Sequence, residues 1–403
     1  MQTAHFAAAT FLLKRGYLMP HLPNEDFLIF HPQKEIYLDY SATTPVEPEV
    51  LRVFCDATLH FPANPNSSHH LGQEAKALID SASNSILSIL GAEDAEIIYT
   101  SGATEANNLA IKGTAFKKST HGKHLITTAF EHPSVTACFG YLQNHGFEVD
   151  LVDTDPSGRV DISSLRNLLR EDTILVSVAL VNSEIGIVQP LAEIGKLLKE
   201  YPYVTFHSDV TQAVGKMLFS LENVDLASFS AHKFYGLKGI GGLIRKKDVI
   251  LETQMHGGRS TTDFRSGTPA LGLIVSMDTA LRMAYERNDN QYRHVFGLNS
   301  YLRERISTIP NVLINSDSQC LPHIFNLSVL TSDANSLQKK LDNAGIIVST
   351  QTACQSGTGR SETVFRLFKE EIRAKSSIRV SLSHLTTKDD IDRLIQTIEE
   401  EKP

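Results

Sequence analysis

The chain has 403 residues, of which 21% are charged and 41% hydrophobic, and its formal net charge is −8. That acidic balance excludes nucleic acid as the main partner, because phosphate binding needs a basic surface. No apolar run approaches the roughly 20 residues of a membrane span, and a chain this long is expected to divide into about two domains.

Cys55, Cys138, Cys320 and Cys354 form no CxxC pair and no metal-ligand spacing. A disulfide framework is therefore not expected, no metal is assigned, and free thiols fit a reducing, cytoplasmic setting. The apolar run Ala7–Leu13 is followed by Lys14 and Arg15, not preceded by them. That order is wrong for a secretory signal. Residues 1–36 are expected to form an N-terminal extension packed on the body of the protein.

Along the chain, strand and helix patterns alternate. Ile36–Tyr40 reads as a short strand, and Pro48–His60 and Gly72–Leu90 carry helical apolar spacing. Glu96–Thr100 is a strand and Thr104–Phe116 a helix. His124–Phe130, Ser134–Asn144 and Phe147–Val152 continue as strand, helix and strand. Asp161 is placed to cap a helix running to Arg170. Thr173–Val181 is a nearly continuous apolar strand, of the kind buried on both faces of a sheet. The helix Leu191–Glu200 follows, then the strand Tyr203–Phe206 leading into Asp209, and later Leu226–Phe229 leading into Ser230. This alternation predicts an α/β fold with a mostly parallel sheet flanked by helices. After the helix Leu273–Arg287 the βα pattern weakens, and the chain ends in a helix, Lys388–Glu400. The division expected is an extension over 1–36, a large domain over 37–274 and a smaller α+β domain over 275–403.

Chemistry-bearing residues gather at predicted strand ends, where ligands bind in open α/β sheets. Asp209 and Lys233 close two of these strands. Such a lysine is usually a surface charge; it can also form a Schiff base with a carbonyl cofactor whose ring nitrogen an acid pairs. Thr100-Ser-Gly-Ala-Thr-Glu105 joins a strand to a helix start, a plain capped turn or an anion site at the helix N-terminus. His132 precedes Pro133 after a strand and is suited either to a structural role or to stacking on a flat ring. Asn182, in VNSEIG, reads as a polar turn residue or as a paired donor and acceptor. Gln212 follows Asp209 by three positions and would share its face if a helix starts there. Cys354 stands among small polar residues, which favours a reactive thiol over inert packing. Arg379, on an apolar strand, is suited to a carboxylate, internal or from a substrate.

Together these stretches resemble the cysteine desulfurases of the NifS/IscS type, class-V aminotransferase relatives with the type I fold of pyridoxal 5′-phosphate (PLP) enzymes. The matching segments include YLDYSATTPV from Tyr37, NPNSSHHLG from Asn64, TSGATEANNLAIKG from Thr100, EHPSV from Glu131 and VNSEIGIVQP from Val181. They continue with HSDVTQAVGK from His207, SFSAHKFYGLKGIGG from Ser228, FRSGTPA from Phe264, STQTACQSG from Ser349 and SSIRVSLSHLTT from Ser376. They run in the family's order from Tyr37 to the C-terminus.

The resemblance implies a large domain with a seven-stranded sheet and PLP as cofactor. It gives Lys233 as the Schiff-base lysine and proton carrier, Asp209 on the ring nitrogen, Gln212 on the phenolic oxygen and His132 stacked on the ring. Gly102, Thr104, Ser230 and His232 would hold the phosphate. Thr268 would reach the phosphate of a second subunit, which implies a homodimer. Asn182 and Arg379 would bind the α-carboxylate of L-cysteine, and Cys354 would take its sulfur as a persulfide, releasing L-alanine. The long stretch from Cys354 to Arg379 resembles the subgroup that passes sulfur to a scaffold or acceptor protein, for iron–sulfur cluster assembly or tRNA thiolation. Arg259, Ser260, Thr261, Thr262 and Asp263 replace the family's glycine- and glutamate-bearing run before RSGT. Ala231 stands where glycine is usual, and Gln355 replaces a small residue after the cysteine. These departures keep two other readings open: a selenocysteine lyase or another class-V enzyme, and a non-catalytic scaffold of the same fold.

Overall fold

A computed structural model describes residues 35–258, 260–350 and 359–400. Twelve strands are present among them: β1 (Ile36–Tyr37), β2 (Ala95–Thr100), β3 (His124–Thr127), β4 (Glu148–Leu151), β5 (Thr173–Ser177) and β6 (Thr205–Asp209), then β7 (Leu226–Ser230), β8 (Gly241–Lys246), β9 (Val312–Ile314), β10 (Ile324–Val329), β11 (Ile346–Ile347) and β12 (Ser377–Ser381). Seven of them form the main sheet, in the order β2-β8-β7-β6-β5-β3-β4. Neighbours from β7 to β4 pair in parallel, whereas β8 runs antiparallel to both β2 and β7. The C-terminal ends of β2, β3, β5, β6 and β7 therefore share one edge, and the loops that leave that edge meet there.

The main sheet is buried on both faces, as continuous apolar strands require. Every residue of β3, β5, β6 and β7 is buried. Ile126, Val176, Phe206, Ala227 and Phe229 join one large core with the helices Pro48–His60, His70–Ile89 and Leu271–Glu286. A second core gathers Leu298, Phe325, Leu341, Ile378 and Leu394 around a three-stranded antiparallel sheet, β12-β10-β9. Leu38 belongs to this second core, and β1 pairs in parallel with β11. The described chain thus begins beside its C-terminal part and then crosses to the main sheet.

Several helix starts follow from local chemistry. Asp161 accepts from the Ser163 and Ser164 amides and caps Ile162–Leu168. Thr387 and Asp390 form a reciprocal capping box at the start of Lys388–Glu399, which satisfies donors that the helix itself leaves unpaired.

Three expectations are corrected. The strand expected over Thr173–Val181 ends at Ser177. The apolar run goes on because Val178, Leu180 and Val181 stay in the core, while the Ala179 amide leaves the ladder for the Glu131 carboxyl. The strand expected to reach Phe130 ends at Thr127, where the Thr128 hydroxyl takes the Phe130 amide and starts a turn. No α-helix starts at Asp209; residues 211–216 form consecutive turns. Gln212 is brought to the site by the turn instead of by a helical face.

Among the described residues, no helix is long and apolar enough to cross a membrane, and no group of three or more His, Cys, Asp or Glu is arranged to hold a metal ion.

Candidate active site

The shared strand edge encloses a cavity of about 250 Å³ lined by residues that include Thr104, His132, Asn182, Asp209, Gln212, Ser230, His232, Lys233 and Arg379. Nine of the residues singled out from the sequence therefore meet in one place. Gly102 caps the helix that opens beside this cavity. Thr268 is not part of the cavity. It borders a separate recess with Thr100, Ser101, Gly239 and Arg265. Cys354 lies outside the described residues.

Asp209 is the last residue of β6 and is buried. One carboxylate oxygen accepts from the Thr211 amide at 2.9 Å, and the other from Asn107 Nδ2 at 2.8 Å. Asn107 Nδ2 also donates to Ser134 Oγ, which lies 2.8 Å from His132 Nδ1. The Ser134 amide also donates to His132 Nδ1, so in the neutral ring that nitrogen is the acceptor and Nε2 holds the proton. Burial, partly offset by Asp209, pushes the His132 imidazole below its ordinary value. A neutral ring fixed at its Nδ1 edge is suited to lie against a flat aromatic ligand.

Lys233 follows β7 through a single 3₁₀ turn. Its Nζ donates to the carbonyls of Ser41 and Ala42, each at 2.7 Å. Gln212 Nε2 donates to the same Ser41 carbonyl at 3.0 Å. His232 Nδ1 lies 3.1 Å from Thr43 Oγ1, and burial with the nearby charge of Lys233 lowers its pKa to about 4. The segment 41–44 thus holds the lysine, the glutamine and the histidine from one side.

The turn after β2 has the form of an anion cradle. Gly102 has φ +153°, a backbone geometry that side chains disfavour. A Cβ on the facing Gly241 would lie 2.7 Å from Gly102 Cα and 2.4 Å from the Phe229 carbonyl. Only glycine lets these backbones pack so closely, and this seats the helix start beside Ser230, whose Oγ accepts from the Ala103 amide at 2.6 Å. A 16-residue helix with no side-chain cap then directs its N-terminus at the cavity's edge, a site that favours an anion.

On the other wall, Arg379 sits in the middle of β12 and is 2% exposed. Nη1 donates to the Ser183 carbonyl at 2.9 Å and Nη2 to Asp39 Oδ1 at 2.7 Å, whereas Nε, also buried, has no partner among the described residues. A guanidinium lining the cavity is suited to a carboxylate. Asn182 uses its side-chain oxygen on the Glu184 and Ile185 amides and donates from Nδ2 to the Phe130 carbonyl. One amide hydrogen is left over. Next to it, burial raises the Glu184 carboxyl above its ordinary value, and that carboxyl bonds Ser361 Oγ.

Sequence reasoning missed Asp39, Ser41, Ala42, Asn107, Ser134 and Lys216. Ser41 and Ala42 act through backbone carbonyls, which no residue type signals. Asn107 and Lys216 lie inside segments already singled out, TSGATEANN and HSDVTQAVGK, and their placement was the signal available.

Taken as a whole, the donor set suits PLP: a buried acid for a ring nitrogen, a neutral imidazole for a ring face, an amine for a carbonyl and a helix start for a phosphate. Comparison with known proteins agrees. The chain is 38% identical over 372 residues to the cysteine desulfurase IscS of Dictyoglomus turgidum, covering 91% of this chain and 94% of that protein. It is 42% identical over 374 residues to the cysteine desulfurase IscS of Vibrio cholerae, covering 90% of this chain and 91% of the other. A solved structure of a NifS-like protein superposes with a TM-score of 0.85 at 33% identity, covering 91% of this chain and 98% of that one. Residues 36–394 match the family described as aminotransferase class-V, and the chain belongs to that family.

Proposed function

We propose that this protein is a PLP-dependent cysteine desulfurase, which takes sulfur from L-cysteine, releases L-alanine and leaves a persulfide on Cys354. The observation that carries the reading is the convergence of Lys233, Asp209, His132, Gln212 and Arg379 on one cavity, in a chain whose curated relatives are named cysteine desulfurase. PLP supplies an electron sink for the carbon that loses its proton.

The residues take the following roles. Asp209, fixed by Thr211 and Asn107, would keep the ring nitrogen of PLP protonated. His132 would stack on the ring, Gln212 would donate to the phenolic oxygen, and the Gly102–Thr104 turn with Ser230 and His232 would hold the phosphate. Arg379 and Asn182, both lining the cavity, receive the substrate carboxylate. Lys233 Nζ takes the Cα proton. The thiolate of Cys354 attacks the substrate sulfur; the carbon–sulfur bond breaks as the sulfur–sulfur bond forms.

Thr268 stands away from this chain's own cavity, which supports a homodimer in which each subunit's Thr268 completes its partner's phosphate site. The persulfide then passes to an acceptor or scaffold protein, for iron–sulfur cluster assembly or tRNA thiolation, in the cytoplasm. Asp209, His232, Lys233 and Arg379 are all present in one cavity, which speaks against a non-catalytic scaffold.

The test compares wild type with Cys354→Ala. Alanine and sulfide are measured from L-cysteine with a reductant present. Wild type is expected to release both, and the variant neither, while both stay yellow. A variant that still forms persulfide would remove Cys354 from the chemistry. Two yellow proteins that leave cysteine untouched would point to another amino acid as substrate.

A further inference from the structure

Behind the Gln212 side chain lies a buried lysine that the chemistry above does not use. Lys216 is 7% exposed, and its Nζ donates to Gln212 Oε1 at 2.7 Å. Gln212 Nε2 in turn donates to the Ser41 carbonyl, the same oxygen that receives Lys233 Nζ. Because a carbonyl only accepts, the amide can face Ser41 only with its nitrogen, and its oxygen then faces Lys216. The orientation of Gln212 is fixed from both sides. Of the two hydrogens on Nε2, one serves Ser41 and one remains for a group in the cavity that Gln212 lines.

The charge environment of Lys216 is one-sided. Among the described residues its amine forms no salt bridge, and the charged groups that act on it are Lys233 and Arg379, both cations. Burial first, and then those two charges, push the ammonium well below the ordinary lysine value. His323 behind it offers no countercharge; burial and Lys216 lower its pKa to about 3. A buried amine whose one partner among the described residues is an amide oxygen weakens the empty fold. It becomes favourable once an anion is present on the far side of Gln212.

We propose that Lys216 is a positioning residue for the cofactor, its amine acting through the Gln212 amide to support the anionic phenolic oxygen of PLP. The proposal rests on the PLP reading above. The Gln212 amide is in this way oriented toward the phenolic oxygen before PLP arrives. Polarised by Lys216, the remaining Gln212 N–H is a stronger donor to an oxygen that carries charge than to one that does not.

The experiment uses the full-length chain stripped of cofactor, as wild type, Lys216→Met and Lys216→Gln, titrated with PLP and with its 3-O-methyl analogue. Melting temperatures of the stripped proteins are recorded alongside. Both substitutions are expected to raise the Kd for PLP about tenfold or more, the scale of one charge-assisted hydrogen bond. The Kd for the 3-O-methyl analogue should stay within about twofold of wild type, and the stripped variants should melt no lower than wild type. Equal PLP affinity in wild type and variants overturns the proposal. So does an equal loss for both ligands, or a melting temperature that falls together with affinity, since either marks a merely structural lysine. If wild type itself fails to bind PLP, the cofactor reading falls first.

Discussion

On the wall that carries Asp209, a chain of hydrogen bonds holds the side chains in place. Thr211 and Asn107 hold the carboxylate, Asn107 reaches Ser134, and Ser134 reaches His132. On the wall that carries Arg379, the bonding stops short. Two nitrogens of the guanidinium are used and the third is buried with no partner among the described residues. The first wall comes from the end of β6, the turn after it, and the starts of the helices Ala103–Lys118 and Pro133–Gln143. The second is assembled from β12, the turn at Asn182 and the segment around Asp39. Side chains already held in place cost little reorganisation when a flat ligand arrives, which would suit a resident cofactor. Under the proposed function, the wall that carries Arg379 would instead meet the substrate carboxylate on each turnover.

The largest effect that tests this comparison comes from Lys233→Ala. The variant is expected to lose the visible absorbance of the loaded protein and all turnover of L-cysteine. Retained colour together with retained activity would break the cofactor assignment.

Arg379→Lys separates the walls. Lysine keeps the charge and loses the fork, so the second wall should fail alone. Expected is a KM for L-cysteine raised about tenfold or more, on the scale of one charged hydrogen bond, with the PLP Kd unchanged. A parallel loss of PLP affinity would show that the two walls are not independent.

Glu131→Gln gives the smallest and most pH-dependent effect. Burial, opposed by the Thr128 and Ala179 hydrogen bonds and reinforced by Asp209, raises the Glu131 carboxyl from an ordinary 4.5 to about 8. Its folded value exceeds its unfolded one. Its contribution to stability is therefore complete below about pH 4.5 and lost as pH rises to about 8. Glutamine has the shape of the protonated acid and does not titrate. The melting temperature of the variant should match wild type near pH 4.5 and exceed it by a growing margin up to about pH 8. A margin that stays flat across that window would mean that Glu131 is ionised in the fold.

Much of this was legible in the sequence, for reasons that differ by residue. Asp209, Lys233 and His132 end or follow strands, and parallel strands deliver their ends to one edge, so the pattern alone predicted that these residues would meet. The seven-stranded sheet followed from the resemblance, yet β8 was not marked by its residues. It begins with Gly241 and Gly242, which read as turn and not as strand; the close approach of the Phe229 carbonyl and Gly102 explains the first, and that of the Phe229 ring and Ile97 the second. The strand ends at Thr127 and Ser177 were not legible, because apolar burial continues past the last ladder bond. Lys216 lies within a matching motif, but a lysine in a sequence carries no mark of burial. Asp39 follows a strand of two residues, and nothing local links it to an arginine 340 positions away.

The amine of Lys233 rests on the Ser41 and Ala42 carbonyls, and this contact is invisible to side-chain mutagenesis. An alanine scan would replace Ser41 and score Ala42 as already done, and both oxygens would still be in place. Sequence drift at these two positions therefore leaves the lysine's anchor untouched, while a change that shifts the path of the chain between Leu38 and Thr44 moves it without altering any residue in the cavity. Selection on this anchor acts on the course of a backbone. Its probe is an amide-to-ester replacement, which weakens the carbonyl as an acceptor, and not a codon change.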